Sequence, residues 1–215
     1  MLIHADFTQR ALVTPDQHAW TPSPMAGVER VMLDRVGEEK ARATSLVRYA
    51  PDSHFARHLH PGGEEILVLS GVFSDEHGQY PAGGYLRNPP ASSHQPFSVE
   101  GATIFVKLWQ MPLSDGHTVR IDTNDAAAWQ RQNGREVCPL FSSDIEQVCL
   151  QRLAPGQTVW AASANGAELL VLAGDIGSYQ PGSALIDADF GLGQFSPHNG
   201  WPTPVVFVPG NHEYD

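Results

Sequence analysis

Two stretches of this chain occur twice. Leu46-Val47-Arg48-Tyr49-Ala50-Pro51-Asp52 returns as Leu150-Gln151-Arg152-Leu153-Ala154-Pro155-Gly156, and Glu65-Ile66-Leu67-Val68-Leu69-Ser70-Gly71 returns as Glu168-Leu169-Leu170-Val171-Leu172-Ala173-Gly174. The offsets are 104 (46 to 150) and 103 (65 to 168), so one residue is lost between the copies. Near the C-terminus Val205-Val206-Phe207-Val208 echoes Ile104-Phe105-Val106-Lys107. A repeat of about half the chain implies two similar domains, and 215 residues suffice for two small ones. The repeated runs are short, apolar or alternating, and bounded by turn residues, as strands are. The expectation is an all-β chain of two tandem β-barrels, residues 1–112 and 113–215, joined by a linker at Pro112–Gly116. Asp122–Gln132 reads as the best helix candidate, down to only a turn or two, with Thr123 or Asn124 as its cap and Gly134 past its end.

The first copy carries chemistry in Ala56-Arg57-His58-Leu59-His60-Pro61-Gly62-Gly63-Glu64-Glu65-Ile66-Leu67-Val68-Leu69-Ser70-Gly71. His58 and His60 are two apart, so on a strand both imidazoles face one way. Pro61-Gly62-Gly63 is a turn, and Glu64 opens a return strand that Gly71 is expected to end. A later prolyl turn, Asn88-Pro89-Pro90-Ala91-Ser92-Ser93-His94, delivers a third histidine. Any one of these histidines alone reads as a packed or solvated residue. Together, His58, His60, Glu64 and His94 form a ligand set for one divalent transition metal. Zinc is the first expectation, with iron, nickel and manganese as alternatives. Four ligands close a tetrahedral shell and leave one or two positions open on an octahedral ion. His54 is a further candidate, and Glu65 has the opposite strand parity to Glu64.

In the second copy this set is gone. Ala161 to Ala164 stand where His58 and His60 would recur, Ala167 replaces Glu64, and Gln194 falls near the place of His94. Glu168 matches Glu65, and His198 stands alone. A metal-free cavity is expected there, with Trp160, Phe190, Phe195 and Trp201 as core or lining, giving packing, pseudo-dimer geometry or recognition of a small molecule.

Charge narrows the partners. Thirteen Lys and Arg stand against 24 Asp and Glu, a net charge of -11. Direct nucleic-acid binding needs a basic surface and is not expected. No run approaches membrane-spanning length and no secretory leader is evident, so a soluble, cytoplasmic protein with no membrane contact is expected. Cys138 and Cys149 make no Cys-x-x-Cys and read as buried thiols, with a redox pair as the alternative.

The histidine and glutamate spacing resembles the cupin superfamily. His58, His60, Glu64 and Gly71 fit its first motif, with Asp52 in place of the leading glycine. Gly83, Pro89 and His94 fit the second, with Ala91 for a glycine and Ser98 for the final asparagine. More narrowly, Arg42–Pro51, the Gly-Gly-Glu-Glu hairpin, Phe73–His77 and Tyr85–Pro90 are similar to the cupin domain of the ChrR anti-sigma factors, over roughly residues 20 to 111. The resemblance implies jelly-roll-like barrels, here a bicupin, and a zinc-bound regulatory domain responding to oxidants. It implies as partner an ECF sigma factor or other regulatory protein. That family's sigma-binding unit uses His and Cys-x-x-Cys, which this chain lacks, so inhibition by that route is not expected. The same cupin class also resembles iron(II) dioxygenases that cleave β-diketones or hydroxyaryl ketones. On that alternative His58, His60 and His94 hold iron, Glu64 is a ligand or base, and Arg48, Arg57, Tyr85 and Trp109 are candidates for the pocket wall. A metal-dependent isomerase or small-molecule binding module is the third reading. Exposed cupin faces often pair, so a homodimer is expected.

Overall fold

The computed structural model describes residues 1–38, 40–154, 157, 159, 166–173 and 205–208. The fold is all-β, as expected. The strands are β1 (Leu2–Ile3), β2 (Thr21–Pro22), β3 (Val28–Gly37), β4 (Ala41–Tyr49), β5 (Ser53–His54), β6 (His58–His60), β7 (Glu64–Asp75), β8 (Gly78–Pro81), β9 (Gly84–Asn88), β10 (Ser92–His94), β11 (Phe97–Ser98), β12 (Ala102–Leu108), β13 (Val119–Asp122), β14 (Gln130–Gln132), β15 (Arg135–Ser142), β16 (Gln147–Arg152), β17 (Leu170–Ala173) and β18 (Val205–Val208). No helix among the described residues is long and apolar enough to cross a membrane. The chain divides into two compact units: residues 1–11 with 19–124, and 12–18 with 125–215.

In the first unit one large sheet runs β1-β3-β4-β12-β7-β11-β5, with β9 and β8 on β7 and β13 on β9. Alternation along the strands gives one face to the core: Val28, Tyr49, Ile66, Val68, Phe73, Leu86, Ala102, Ile104 and Val106. β6 and β10 form a separate ribbon, with His94 opposite His58 and Ser92 opposite His60.

Gly71 does not end its strand. β7 runs through it for 12 residues, because Gly71 takes φ +69° and bends the strand beside a bulge in the β7–β12 ladder. A Cβ there would lie 2.0 Å from the Gly101 carbonyl oxygen. β3 also carries a bulge against β4, between Met32 and Asp34. At two positions where the motif glycines are replaced, the backbone remains left-handed: Asp52 has φ +59° and Ala91 φ +67°.

Residues 112–116 are turn and loop, and the segment 122–132 forms no α-helix. Asp115 Oδ2 accepts from Arg87 Nη2 at 2.7 Å, and β13 pairs with β9. The contact division thus falls after Asn124, where the sequence reading places the boundary at 112. The only helical turn within 122–132 is a 3-10 turn, Ala126–Ala128. Its cap is Asp125, whose side chain accepts from the Ala127 N–H. β13 ends at Asp122 and β14 takes Gln130–Gln132, so no α-helix spans the segment.

In the second unit the ladder is β14-β15-β16-β18-β17. Its registers follow those of the first. Leu46 and Leu67 both pair with Phe105, and Leu150 and Leu170 both pair with Phe207. The bulges correspond as well. Leu69 is the extra residue in β7 against β12, and Leu172 in β17 against β18. Leu33 is the extra residue in β3 against β4, and Leu140 in β15 against β16. Trp160, residues 161–164, Phe190, Gln194, Phe195, His198 and Trp201 lie outside the described residues.

Both cysteines are free thiols. Cys138 aligns with Leu150, so Cys149, one residue away, points to the opposite face of the ladder. Burial pushes the Cys138 thiol up to about 11, with the neighbouring Cys149 adding to it, and burial raises Cys149 also. Both are therefore protonated and poorly nucleophilic at neutral pH.

Two predictions follow from this geometry. Ala91→Gly should stabilise the protein by about 0.5–1 kcal/mol, by relieving a left-handed alanine. Gly71→Ala should destabilise it by more than about 2 kcal/mol. Urea unfolding of metal-free protein measures both. In thiol titration at pH 7.5, Cys138 should stay unlabelled in native protein and react once it is denatured. Rapid labelling of both thiols in the native state would show that one of them is poised for redox chemistry.

Candidate metal centre

The four side chains singled out in the sequence come together. His58, His60, Glu64 and His94 each offer a ligand atom within 4.8 Å of the others, a group that could hold a metal ion. Three observations explain the convergence. β6 puts His58 and His60 on one side, the β6–β10 ladder sets His94 against His58, and the Pro61–Gly63 turn brings Glu64 back beneath them. The turn is closed by Gly63 N–H donating to the His60 carbonyl at 3.2 Å. The three imidazole rings stand nearly perpendicular to one another, with centroids 4.7–5.2 Å apart.

Burial and hydrogen bonding give this cluster its character. His60, Glu64 and His94 are 5%, 6% and 3% exposed, whereas His58 is half-buried. His60 Nε2 and His94 Nε2 are buried and have no hydrogen-bond partner. They lie 3.5 and 3.4 Å from Glu64 Oε2, longer than the roughly 2.7–2.9 Å of a charge-assisted N–H···O bond. Two nitrogens and an oxygen facing one another at this spacing fit a cation between them. His58 Nδ1 donates to the Ala56 carbonyl at 3.0 Å, leaving its Nε2 with the lone pair.

A ring of partners surrounds the cluster. Asp75 Oδ2 accepts from His94 Nδ1 at 3.2 Å, and Asn88 Nδ2 donates to Glu64 Oε2 at 2.9 Å. Burial pushes the His60 imidazole below its ordinary value, against the attraction of Glu64. Burial also opposes protonation of His94, but its hydrogen bond to Asp75 and the charges of Glu64, Asp75 and Glu76 outweigh it and raise His94. At Asp75 burial works upward, yet the His94 hydrogen bond, the His77 N–H and the Arg120 charge hold the carboxyl below its usual value. Tyr49, its ring 5.4 Å from Phe55 and 5.7 Å from Phe73, is a buried phenol kept protonated by desolvation and by the Glu64 charge.

The other candidates lie elsewhere. His54 stacks on Phe97 and lines an open hollow with Glu76 and Gln95. Glu65 faces away from Glu64 and pairs with the fully buried Arg87 at 3.2 Å. Tyr85 pairs in register with Leu67, on that same opposite face. Arg48 reaches out to Glu29 at 2.6 Å and lies over Trp20. Trp109 covers Gly62, where a Cβ would sit 2.5 Å from its ring. Arg57 pairs with Glu76 at 2.6 Å, and the other Glu76 oxygen accepts from the Gln95 N–H, next to His94. Sequence reasoning missed Asp75, Tyr80, Asn88 and Arg120. Asp75 had a signal, the Asp-Glu-His-Gly turn; Arg120 had none.

Residues 8–112 match the ChrR cupin-like domain family, and with the all-β architecture above this gives the first unit a cupin fold. No curated protein matches the chain in sequence. Among solved structures, a candidate dioxygenase from Nostoc punctiforme PCC 73102 is similar over 95% of this chain and 78% of its own, at 16% identity and TM-score 0.58. A candidate glyoxylate-induced protein from Pseudomonas aeruginosa is similar over 90% and 79%, at 11% identity and TM-score 0.55. The Rhodobacter sphaeroides complex of SigE with the anti-sigma ChrR is similar over 48% of this chain and 54% of that one, at 24% identity and TM-score 0.37.

His60→Ala should abolish stoichiometric metal binding, as read by elemental analysis of the purified protein. Retention of one full equivalent would remove His60 from the ligand set.

Proposed function

We propose that the protein is a metal-binding bicupin whose first domain holds one divalent transition ion through His58, His60, Glu64 and His94, and that it works as a ChrR-like regulatory or sensing protein. The observation that carries the metal reading is the pair of buried, unpartnered Nε2 atoms of His60 and His94 facing Glu64 Oε2. An all-nitrogen-and-oxygen donor set suits zinc first, then iron, nickel or manganese. The family match over residues 8–112 favours regulation. On this reading the partner is an ECF sigma factor or another regulatory protein, and the protein is cytoplasmic.

The bicupin reading is supported by the shared registers and by the bulges at Leu33, Leu69, Leu140 and Leu172. On this reading the second domain is a degenerate barrel. Ala167 stands in the place of Glu64, and the domain serves packing, pseudo-dimer geometry or recognition of a small molecule.

A second reading, an iron(II) dioxygenase acting on β-diketones or hydroxyaryl ketones, is favoured by one feature: His58 is only half-buried, so solvent reaches one side of the cluster. A bound ion of this class supplies Lewis acidity and, as iron(II), oxygen chemistry. The chain's own part would be to hold the ion and keep Tyr49 protonated beside it.

The deciding experiment is elemental analysis of anaerobically purified protein, followed by oxygen uptake with a panel of β-diketones and hydroxyaryl ketones. The regulatory reading expects one equivalent of metal, zinc first, and no substrate-dependent uptake. One equivalent of iron with substrate-dependent uptake would establish the dioxygenase instead, and no metal at all would remove both.

A further inference from the structure

The guanidinium of Arg120 reaches both arms of the metal cluster from outside the segment that carries it. Arg120 lies on β13, opposite Leu86 on β9, and so on the face that also presents Asn88. Its Nη2 donates to Asn88 Oδ1 at 2.6 Å. Its Nε donates to the Tyr80 hydroxyl at 3.3 Å. Its Nη1 is anchored on the carbonyls of Arg87 at 3.0 Å and Val119 at 2.7 Å.

An arginine only donates and an ionised carboxylate only accepts, and between them these two ends fix the direction of each bond along both arms. Asn88 must turn its carbonyl oxygen to Arg120, so its NH2 faces Glu64 Oε2 at 2.9 Å. The Tyr80 oxygen accepts from Arg120, so its proton is free to go to Asp75 Oδ1, 3.3 Å away. That Asp75 oxygen also accepts from the N–H groups of His77 and Gly78, while Oδ2 accepts a hydrogen bond from the Nδ1–H of His94. With the proton held on Nδ1, His94 Nε2 keeps its lone pair toward the cluster.

We propose that Arg120 is the positioning residue of the centre, holding the Asp75 carboxylate against His94 Nδ1 through Tyr80 and so keeping the His94 tautomer, and setting the Glu64 carboxylate orientation through Asn88. This rests on the metal reading above and extends it to a residue beyond the 8–112 family match. Arg120 touches no ligand itself. Lysine cannot replace it, because a single ammonium does not supply a planar fork with two fixed directions.

The test uses the full chain and zinc alone, in competition with a chromophoric chelator. Arg120→Ala should weaken zinc binding by about 10- to 100-fold, the usual effect of losing a partner that orients ligands, and Arg120→Lys should fall in the same range. Tyr80→Phe and Asn88→Ala should each weaken binding in the wild-type background. In the Arg120→Ala background they should add less than about threefold, because the arm they serve is already broken. A merely structural arginine gives losses that multiply. A second readout needs no metal: ¹⁵N shifts of His94 should report Nδ1–H in metal-free wild type and mixed tautomers in Arg120→Ala. Zinc affinity of Arg120→Ala within threefold of wild type, multiplying losses, or an unchanged tautomer overturns the proposal. Wild type that takes up no ion overturns the metal reading, and the tautomer measurement still decides whether Arg120 orients His94.

Discussion

Leaving a buried imidazole nitrogen without a hydrogen bond costs about 1–3 kcal/mol, and the first unit does this twice around a single carboxylate. The arrangement persists because none of its members can leave. His58 and His60 are fixed by the β6–β10 ladder, Glu64 by the start of β7, and His94 by the far strand of the same ribbon. The backbone bonds of these strands are satisfied whether or not the side chains are. The polar cost is therefore local to the cluster, and an ion placed there relieves it directly. The half-buried His58 gives that ion a way in.

Strand parity divides the labour of β7. Glu64 and Glu65 are neighbours in sequence, but one faces the histidines and the other faces Arg87. Arg87 is fully buried and is held by two carboxylates, Glu65 at 3.2 Å and Asp115 at 2.7 Å. Burial pushes the Asp115 carboxyl up, but the Arg87 and His117 hydrogen bonds win and hold it below its usual value. Removing one partner of such a pair leaves a charge stranded in low dielectric, which is why buried pairs are costly to break even when they add little net stability. One strand thus carries a member of the histidine cluster on one face and an ionic clamp for the segment after Pro112 on the other.

The convergence of His58, His60 and Glu64 was legible because it is local. A two-residue spacing, a Pro-Gly-Gly turn and a carboxylate lie within seven consecutive residues, and local geometry follows from local sequence. The strands were legible for the same reason. Gly71 misled because glycine usually stops a strand, whereas here it lets β7 bend and continue. The helix expected at 122–132 failed because capping residues were present without an amphipathic length behind them. Arg48, Tyr85 and Trp109 are placed by partners distant in sequence, and Arg120 belongs with them. It meets Asn88 and Tyr80 only because β13 pairs with β9, and nothing in the sequence near residue 120 announces that pairing.

The second unit shows how little of the scaffold depends on the site. Its ladder repeats the register on Phe207 and both leucine bulges, although Ala167 stands where Glu64 would. Bulges bend strands and fix register by backbone geometry alone. The second ladder therefore keeps its register and its bulges without that carboxylate. The cluster of His58, His60, Glu64 and His94 is an addition to a frame that stands without it. Its cost is met where the ligands sit, and its orientation is supplied from the same sheet, by Asp75 on β7 and Asn88 on β9.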